Sequence, residues 1–185
     1  MSMTMDILVQ DHKNLARLLD VLERQVQRFE AEGDTDLDIV KGILDYCLTY
    51  PDLCHHPKED AVLRRLMARN PQAAEPIAGL EAEHRKLAEV TRRFAAAVHQ
   101  LVQGGTTIDE WFGDSARRFL DGYRHHMELE DTSFFPVALR ELTDEDWAEV
   151  DREVEEMIDP LFGGGPEERF KVLRNEILMW DEVSE

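Results

Sequence analysis

The fold of this chain is decided by the stretch Tyr123-Arg-His-His-Met-Glu-Leu-Glu-Asp-Thr-Ser-Phe-Phe-Pro136. Within it, His126 and Glu130 are four residues apart, and residues at this spacing lie on one face of an α-helix. The imidazole and the carboxylate can therefore point at one spot, ahead of an apolar run that we expect Pro136 to close. Ligands of this kind on the inner faces of helices are typical of metal sites in helical bundles.

A second copy of this pattern lies upstream, in Cys54-His-His-Pro-Lys-Glu-Asp60. Here His55 and Glu59 are again four residues apart. The pairs His55 and His126, and Glu59 and Glu130, are each separated by 71 residues, and two single histidines, His12 and His84, are separated by 72. The chain thus contains two similar halves, each with a single histidine followed by His-x-x-x-Glu. Two helical hairpins with this pattern would bring six ligands together: His12, His55, Glu59, His84, His126 and Glu130.

Apolar residues spaced three and four apart predict four long helices. The first helix is expected over about 4–31, and the second from residue 35 or 36 to residue 70, with a bend at two prolines. The third helix is expected over about 73–102. The fourth is expected to begin at a capping box of Thr107 and Glu110 and to end at Pro136. In the first and third helices, His12 and His84 each fill the open place in a leucine stripe, whereas His99 falls off the stripe. The sequence therefore predicts an all-α protein: an up-down-up-down four-helix bundle over residues 1–140.

Residues 141–185 are predicted to form a C-terminal helical extension that packs on the bundle or on a partner. A short helix capped near Thr143 is expected first, then a glycine-rich loop over 159–166, and then a helix from Glu167 to about Trp180. The apolar side of that last helix indicates a possible homodimer or protein partner contact.

Charge excludes two classes of partner. The formal net charge is −19, which argues against nucleic acid and against anionic membrane surfaces, because both are bound by clustered Lys and Arg. The two cysteines, Cys47 and Cys54, make no disulfide framework. Together with an N-terminus that has no signal-peptide pattern, this predicts a cytoplasmic protein.

The ligand set indicates two metal ions. Four imidazoles and two carboxylates without a thiolate suit iron, with Mn or Zn as possible substitutes. Two octahedral ions offer about twelve coordination places, of which an oxo or hydroxo bridge, two bridging carboxylates and four histidines fill all but about two. His56 with Asp60 has the same spacing as the preferred pair, so these two residues, His125 and Asp131 remain open as replacements or additions.

The chain resembles the hemerythrin-like, or HHE cation-binding, domain family over roughly residues 5–140. The residues that carry the resemblance are His12 after Asp11, His84 after Glu83, and the two motifs that begin at His55 and at His125-His126. The resemblance implies a non-haem diiron centre whose bridging carboxylates are Glu59 and Glu130. It also implies small ligands such as O₂, peroxide or NO, and a role in binding O₂ or in sensing oxygen, redox state or iron.

One departure bears on function. Oxygen-carrying members have a second histidine four residues after the ligand of the third helix, where this chain has Ala88. We therefore expect a redox-responsive centre and not a durable oxygen carrier. Alternatives are a diiron enzyme with peroxidase or NO-directed activity, and a ferritin-like diiron carboxylate protein, for which Glu81-x-x-His84 is one of the two motifs needed.

Overall fold

A computed structural model describes residues 2–77, 79–103, 109–162, 170–171 and 173–175, and this part of the chain contains helices and no β-strand. The helices are α1 (Met3–Glu32), α2 (Leu37–Tyr50), α3 (His56–Arg69), α4 (Pro71–Ala74), α5 (Leu80–Val102), α6 (Asp109–Leu129), α7 (Phe135–Glu141) and α8 (Asp144–Glu153). In these ranges, no helix has both the length and the apolar composition that crossing a membrane requires. The predicted all-α class is confirmed.

Four helical segments, which we call walls, enclose the core. They are α1, α2 with α3, α5, and α6 with α7. α1 packs against α2 and α6, and α5 packs against α2 and α6, while α3 continues the wall that α2 begins. Walls that are neighbours in sequence are thus neighbours in space, as short connections require. This is the predicted up-down-up-down four-helix bundle.

The first two walls begin and end at capping residues. The Ser2 hydroxyl accepts a hydrogen bond from the Met5 N–H at the start of α1, and Asp36 caps α2 through the N–H groups of residues 38 and 39. α1 ends at Gly33, whose φ of 70° is readily adopted by glycine and whose N–H donates to the Phe29 carbonyl at 2.8 Å. The predicted boundaries of this part lie within two residues of those observed.

Two π-helical segments keep the second and fourth walls continuous, where the sequence predicted a bend at two prolines and an end at Pro136, respectively. Residues Pro51–His55 join α2 to α3, and residues Glu130–Phe134 join α6 to α7. Pro57 and Pro136 lie in the first turns of α3 and α7, where the missing N–H costs no hydrogen bond. The prediction that Pro136 ends the fourth helix is therefore wrong.

The third wall begins later than predicted. The chain forms α4, a 3₁₀ turn over Glu75–Ile77, and then α5 from Leu80, so the predicted start at residue 73 is wrong. Pro76 and Gly79 explain the interruption, because proline removes a backbone donor and glycine weakens a helix interior. The capping box predicted for Thr107 and Glu110 lies outside the described residues.

The core consists of two apolar clusters. The first cluster contains residues such as Leu15, Leu22, Val40, Leu87, Phe94, Phe119 and Met127. The second contains Met5, Leu8, Val62, Leu66, Leu80, Phe134, Phe135 and Trp147. Along every wall, the histidines and glutamates identified above stand at or near the boundary between the two clusters. They therefore form a polar layer across the bundle.

Residues 142–157 pack on the end of the bundle that holds the second cluster, whereas Leu161 and Phe162 pack with the first cluster. Trp147, Val150 and Val154 are buried there. The Asp151 carboxylate accepts hydrogen bonds from the Ser2 hydroxyl and the Thr4 N–H, each at 2.9 Å. Most of the predicted last helix lies outside the described residues. The domain boundary at residue 140 remains a prediction.

Asp146 forms the observed capping box with Thr143 at the start of α8. Asp146 is 1% exposed and accepts hydrogen bonds from Arg65 at 2.7 Å and Arg69 at 2.8 Å. Burial raises the pKa of this carboxyl, but the hydrogen bonds from Thr143 and the two arginines outweigh burial and lower the pKa well below its usual value. Asp146→Ala should therefore lower the free energy of unfolding of metal-free protein by about 1–2 kcal/mol at pH 7.

The effect should depend on pH. A carboxyl with a lowered pKa stabilises the fold above its unfolded pKa of about 3.9, and this contribution is lost as the pH falls towards the folded value. Thermal unfolding at pH 7 and near pH 3 should show a narrower gap between wild type and Asp146→Ala in acid. Asp144→Ala, an exposed change in the same helical turn, is the control. An equal loss in both variants, or a gap unchanged in acid, contradicts this account.

Candidate metal centre

The structure places all six predicted ligands in the polar layer. His12 comes from α1, His55 ends the first π-helical segment, Glu59 is in α3, His84 is in α5, His126 is in α6, and Glu130 begins the second π-helical segment. The carboxylates of Glu59 and Glu130 are fully buried, and the His84 side chain, at 11%, is the most exposed of the six. The layer is thus largely closed to bulk water.

Each carboxylate lies between histidines from different walls. Glu59 Oε1 is 3.3 Å from His55 Nε2, and Glu59 Oε2 is 3.3 Å from His84 Nε2. Glu130 Oε1 is 3.2 Å from His126 Nε2, and Glu130 Oε2 is 3.2 Å from His12 Nε2. Two ligands at right angles on an ion with bonds of about 2.1 Å lie about 3 Å apart. The contacts are therefore close to what two neighbouring ions would need.

The side chains that could hold a metal ion form two groups that share Glu59. One group is His12, His55, Glu59 and Glu130, and the other is His56, Glu59, His84 and His126, with the offered atoms within 4.8 Å of one another in each. The inclusion of His56 goes beyond the predicted six. The only sequence signal for it was the alternative pair of His56 and Asp60. Among the described residues, Asp60 belongs to neither group.

Several buried atoms of the layer have no hydrogen-bond partner in the described part of the chain. They are both carboxylate oxygens of Glu59, Glu130 Oε2, His12 Nε2 and both ring nitrogens of His126. Buried polar atoms are rarely left unsatisfied, because desolvation without a partner costs free energy. Cations between these oxygens and nitrogens would satisfy them. The donor set, nitrogen and oxygen without sulfur, fits Fe or Mn.

The electrostatics of the layer also favour a cation. Burial and the neighbouring Glu59 raise the pKa of Glu130 well above its usual value. Burial also raises the pKa of Glu59, but the charge of His55 outweighs burial and lowers the pKa of that glutamate. Burial lowers the pKa of His126 to about 3, which keeps its ring neutral and able to bind a metal. Two buried carboxylates in contact repel each other, and divalent ions would remove this repulsion.

Outer carboxylates contact two of the predicted ligands. His12 Nδ1 is 2.9 Å from Asp131 Oδ1, and His55 Nδ1 is 3.2 Å from Asp11 Oδ2. The same oxygen of Asp11 accepts a hydrogen bond from the Tyr50 hydroxyl at 2.6 Å. A carboxylate at one ring nitrogen directs the other nitrogen at the metal. Asp131, one of the residues left open above, thus contacts His12 from outside the two groups.

Two cavities reach the layer from the surface. A groove of about 430 Å³ between α1 and α6 is lined by His12, Asp131 and apolar residues such as Met127. A second cavity, of about 210 Å³, is lined by His56 and Ala88. A larger groove beside Trp111, of about 580 Å³, contains none of the ligands in its lining. Each cavity therefore brings small molecules against one histidine of the layer, His12 in the first and His56 in the second.

Comparison with known proteins gives one result. The family model of the hemerythrin HHE cation binding domain matches residues 3–138, which include all six predicted ligands and His56. No curated protein and no solved structure gives a significant match. The match supports the hemerythrin-like alternative over the ferritin-like one. The ferritin-like alternative would use Glu81 with His84, and the Glu81 side chain lies outside the described residues. With its four-helix bundle and its two groups of histidines and glutamates that could hold metal ions, the chain belongs to the hemerythrin HHE cation-binding domain family and is a metal-binding protein of that family.

Proposed function

We propose that the chain holds two iron ions in the polar layer. His12 and His55 would bind one ion, His84 and His126 would bind the other, and Glu59 and Glu130 would contact both. The observation that carries this proposal is the pair of ligand groups that share Glu59. The unsatisfied atoms of both carboxylates support it. Bound iron would supply reversible one-electron chemistry and affinity for O₂, peroxide or NO.

We also propose that the centre responds to oxygen, peroxide, NO or redox state and does not carry oxygen durably. The groove lined by His12 and Asp131 supports this, because the Asp131 side chain is 49% exposed and water in the groove lies next to the carboxylate that contacts His12. A durable carrier needs a site from which water is excluded. The chain's own part is to hold the histidines through Asp131 and Asp11 and to admit small ligands between α1 and α6.

The proposal is tested by metal analysis followed by exposure to air. Protein grown in iron-replete medium should contain about two irons per chain, from the two groups of ligands. After anaerobic reduction, admission of air should convert it rapidly to the ferric form, without a coloured state that reverses under vacuum. One zinc per chain, or no metal after careful iron loading, would contradict the diiron proposal. An optical spectrum that reverses under vacuum would make the protein an oxygen carrier.

A diiron enzyme with peroxidase or NO-directed activity is the second candidate. The same open groove favours it, because a substrate as small as peroxide or NO can reach the His12 side. Turnover of peroxide or NO by iron-loaded protein separates the enzyme from the sensor. A cytoplasmic location and a partner for the C-terminal helices remain predictions.

A further inference from the structure

We propose that His56 is a seventh protein ligand, and that it binds the ion that His84 and His126 bind. The inference rests on the proposed diiron centre. His56 is 8% exposed and offers a nitrogen within 4.8 Å of the ligand atoms of Glu59, His84 and His126. Its ring stacks on that of His84, with centroids 3.8 Å apart and planes 12° apart. His56 therefore belongs to the same side of the layer as these two histidines.

The hydrogen bonding of His56 matches that of two other ligands. His56 Nδ1 is 3.2 Å from Asp52 Oδ1, four residues earlier in the chain. His12 has Asp131 at the same nitrogen, and His55 has Asp11. A carboxylate at Nδ1 leaves Nε2 as the nitrogen to offer to a metal. His56 thus shares this contact at Nδ1 with His12 and His55, although its position was not favoured by the internal repeat.

The space around His56 explains why this residue can reach the layer. His56 and Ala88 line the same cavity of about 210 Å³. Ala88 is four residues after His84 in α5, so it shares a face with His84 but carries only a methyl group. A larger side chain at position 88 would occupy the volume beside His56. The imidazole that α5 does not supply comes instead from α3.

This assignment makes the two ions unequal. With His56, the ion on the α5 side has three imidazoles, whereas the ion on the α1 side has two, His12 and His55. Both share the two glutamates, so the α1-side ion has one place fewer filled by the protein. The groove between α1 and α6 opens beside His12. A small anion or O₂ should therefore bind on the His12 side, at one place per chain.

The experiment compares the full-length, iron-loaded wild type with three variants: His56→Ala, His56→Ala combined with Ala88→His, and the control His125→Ala, an exposed neighbour of His126. Iron retention against a chelator and azide bound per chain by the ferric protein are measured. Wild type should hold two irons and one azide. Removing even an outer partner of a metal ligand typically costs 10–100-fold in affinity, so His56→Ala should lose iron affinity by at least about 10-fold and bind two azides.

The double variant should regain most of the lost iron affinity and return to one azide per chain, because the Ala88→His change would supply the missing nitrogen from α5. His125→Ala should match wild type. His56→Gln, which keeps the side-chain volume, replaces His56→Ala if circular dichroism shows that the alanine variant is unfolded. Unchanged iron retention and one azide in the His56 variant, or two azides in wild type, overturn the proposal. Wild type without iron overturns the diiron centre itself, which is a different outcome.

Discussion

Glu130→Gln should weaken iron binding by about 100-fold or more and, at the same time, make the metal-free protein more stable. The first effect follows because Glu130 contacts His12 and His126 on opposite sides of the layer, at 3.2 Å each. Its loss would remove a ligand from both ions, and even outer partners of a ligand are worth about 10–100-fold in affinity. Chelator competition measures this change.

The second effect is an increase in the stability of the metal-free protein. Burial and Glu59 raise the pKa of Glu130, so its charged form destabilises the metal-free fold above the unfolded pKa of about 4.3. A neutral amide removes this penalty, and each kcal/mol gained raises the melting temperature of a chain of this size by about 2–4 °C. The gain should be present at pH 7 and disappear near pH 4, where Glu130 is protonated in the folded state of wild type.

Glu128→Gln is the matched control, since Glu128 is exposed two residues earlier in the fourth wall. It should alter neither iron affinity nor metal-free stability by an amount that thermal unfolding detects. A metal-free Glu130→Gln protein that melts below wild type would show that the carboxylate stabilises the fold without metal. That outcome would contradict the electrostatic account of the layer.

His84→Ala should lose most of the stabilisation that iron confers, whereas His99→Ala should lose none. His84 Nε2 lies 3.3 Å from Glu59 and 3.5 Å from Glu130, while His99 is exposed and pairs only locally, with Gln103 at 2.9 Å. A metal at 1,000 times its dissociation constant stabilises the folded state by about 4 kcal/mol. For a chain of this size that corresponds to about 8–16 °C in melting temperature.

The quantity to compare is the shift in melting temperature between metal-free and iron-loaded protein. Truncating His84 also leaves space in the core, and this cost is present with and without metal. The shift cancels that cost and isolates the contribution of iron. Equal shifts in the two variants would show that His84 does not bind the metal.

Much of the fold was predictable because helix periodicity and capping act locally. The leucine stripes around His12 and His84 predicted which faces of α1 and α5 are buried, and both histidines are indeed in the layer. His99, off the stripe, is exposed. The doubled spacing predicted that these six side chains meet in one layer, since equal spacings in two hairpins place equivalent residues at equal depth in a bundle.

The errors fall where the helix geometry changes. A π-helical segment has a wider turn than an α-helix, and hydrophobic spacing over five residues does not reveal it. The first such segment ends at His55 and α3 begins at His56, so two adjacent histidines reach the layer, although an α-helix would separate them by about 100°. The spacing favoured His55 and left His56 as an alternative. The second segment likewise carries the helix past Pro136.

The polar layer has a consequence for cooperativity. An uninterrupted apolar core unfolds as one unit, but here a layer of buried imidazoles and carboxylates separates two apolar clusters. Iron joined to all four walls would couple the two halves into one cooperative unit, and its loss would leave each half to open with its own free energy. α8 packs on the half with the second cluster and is tied to the N-terminus through Asp151. The metal state of the centre would thereby be transmitted to the surface as a difference in local stability at the end of the bundle where α8 is anchored.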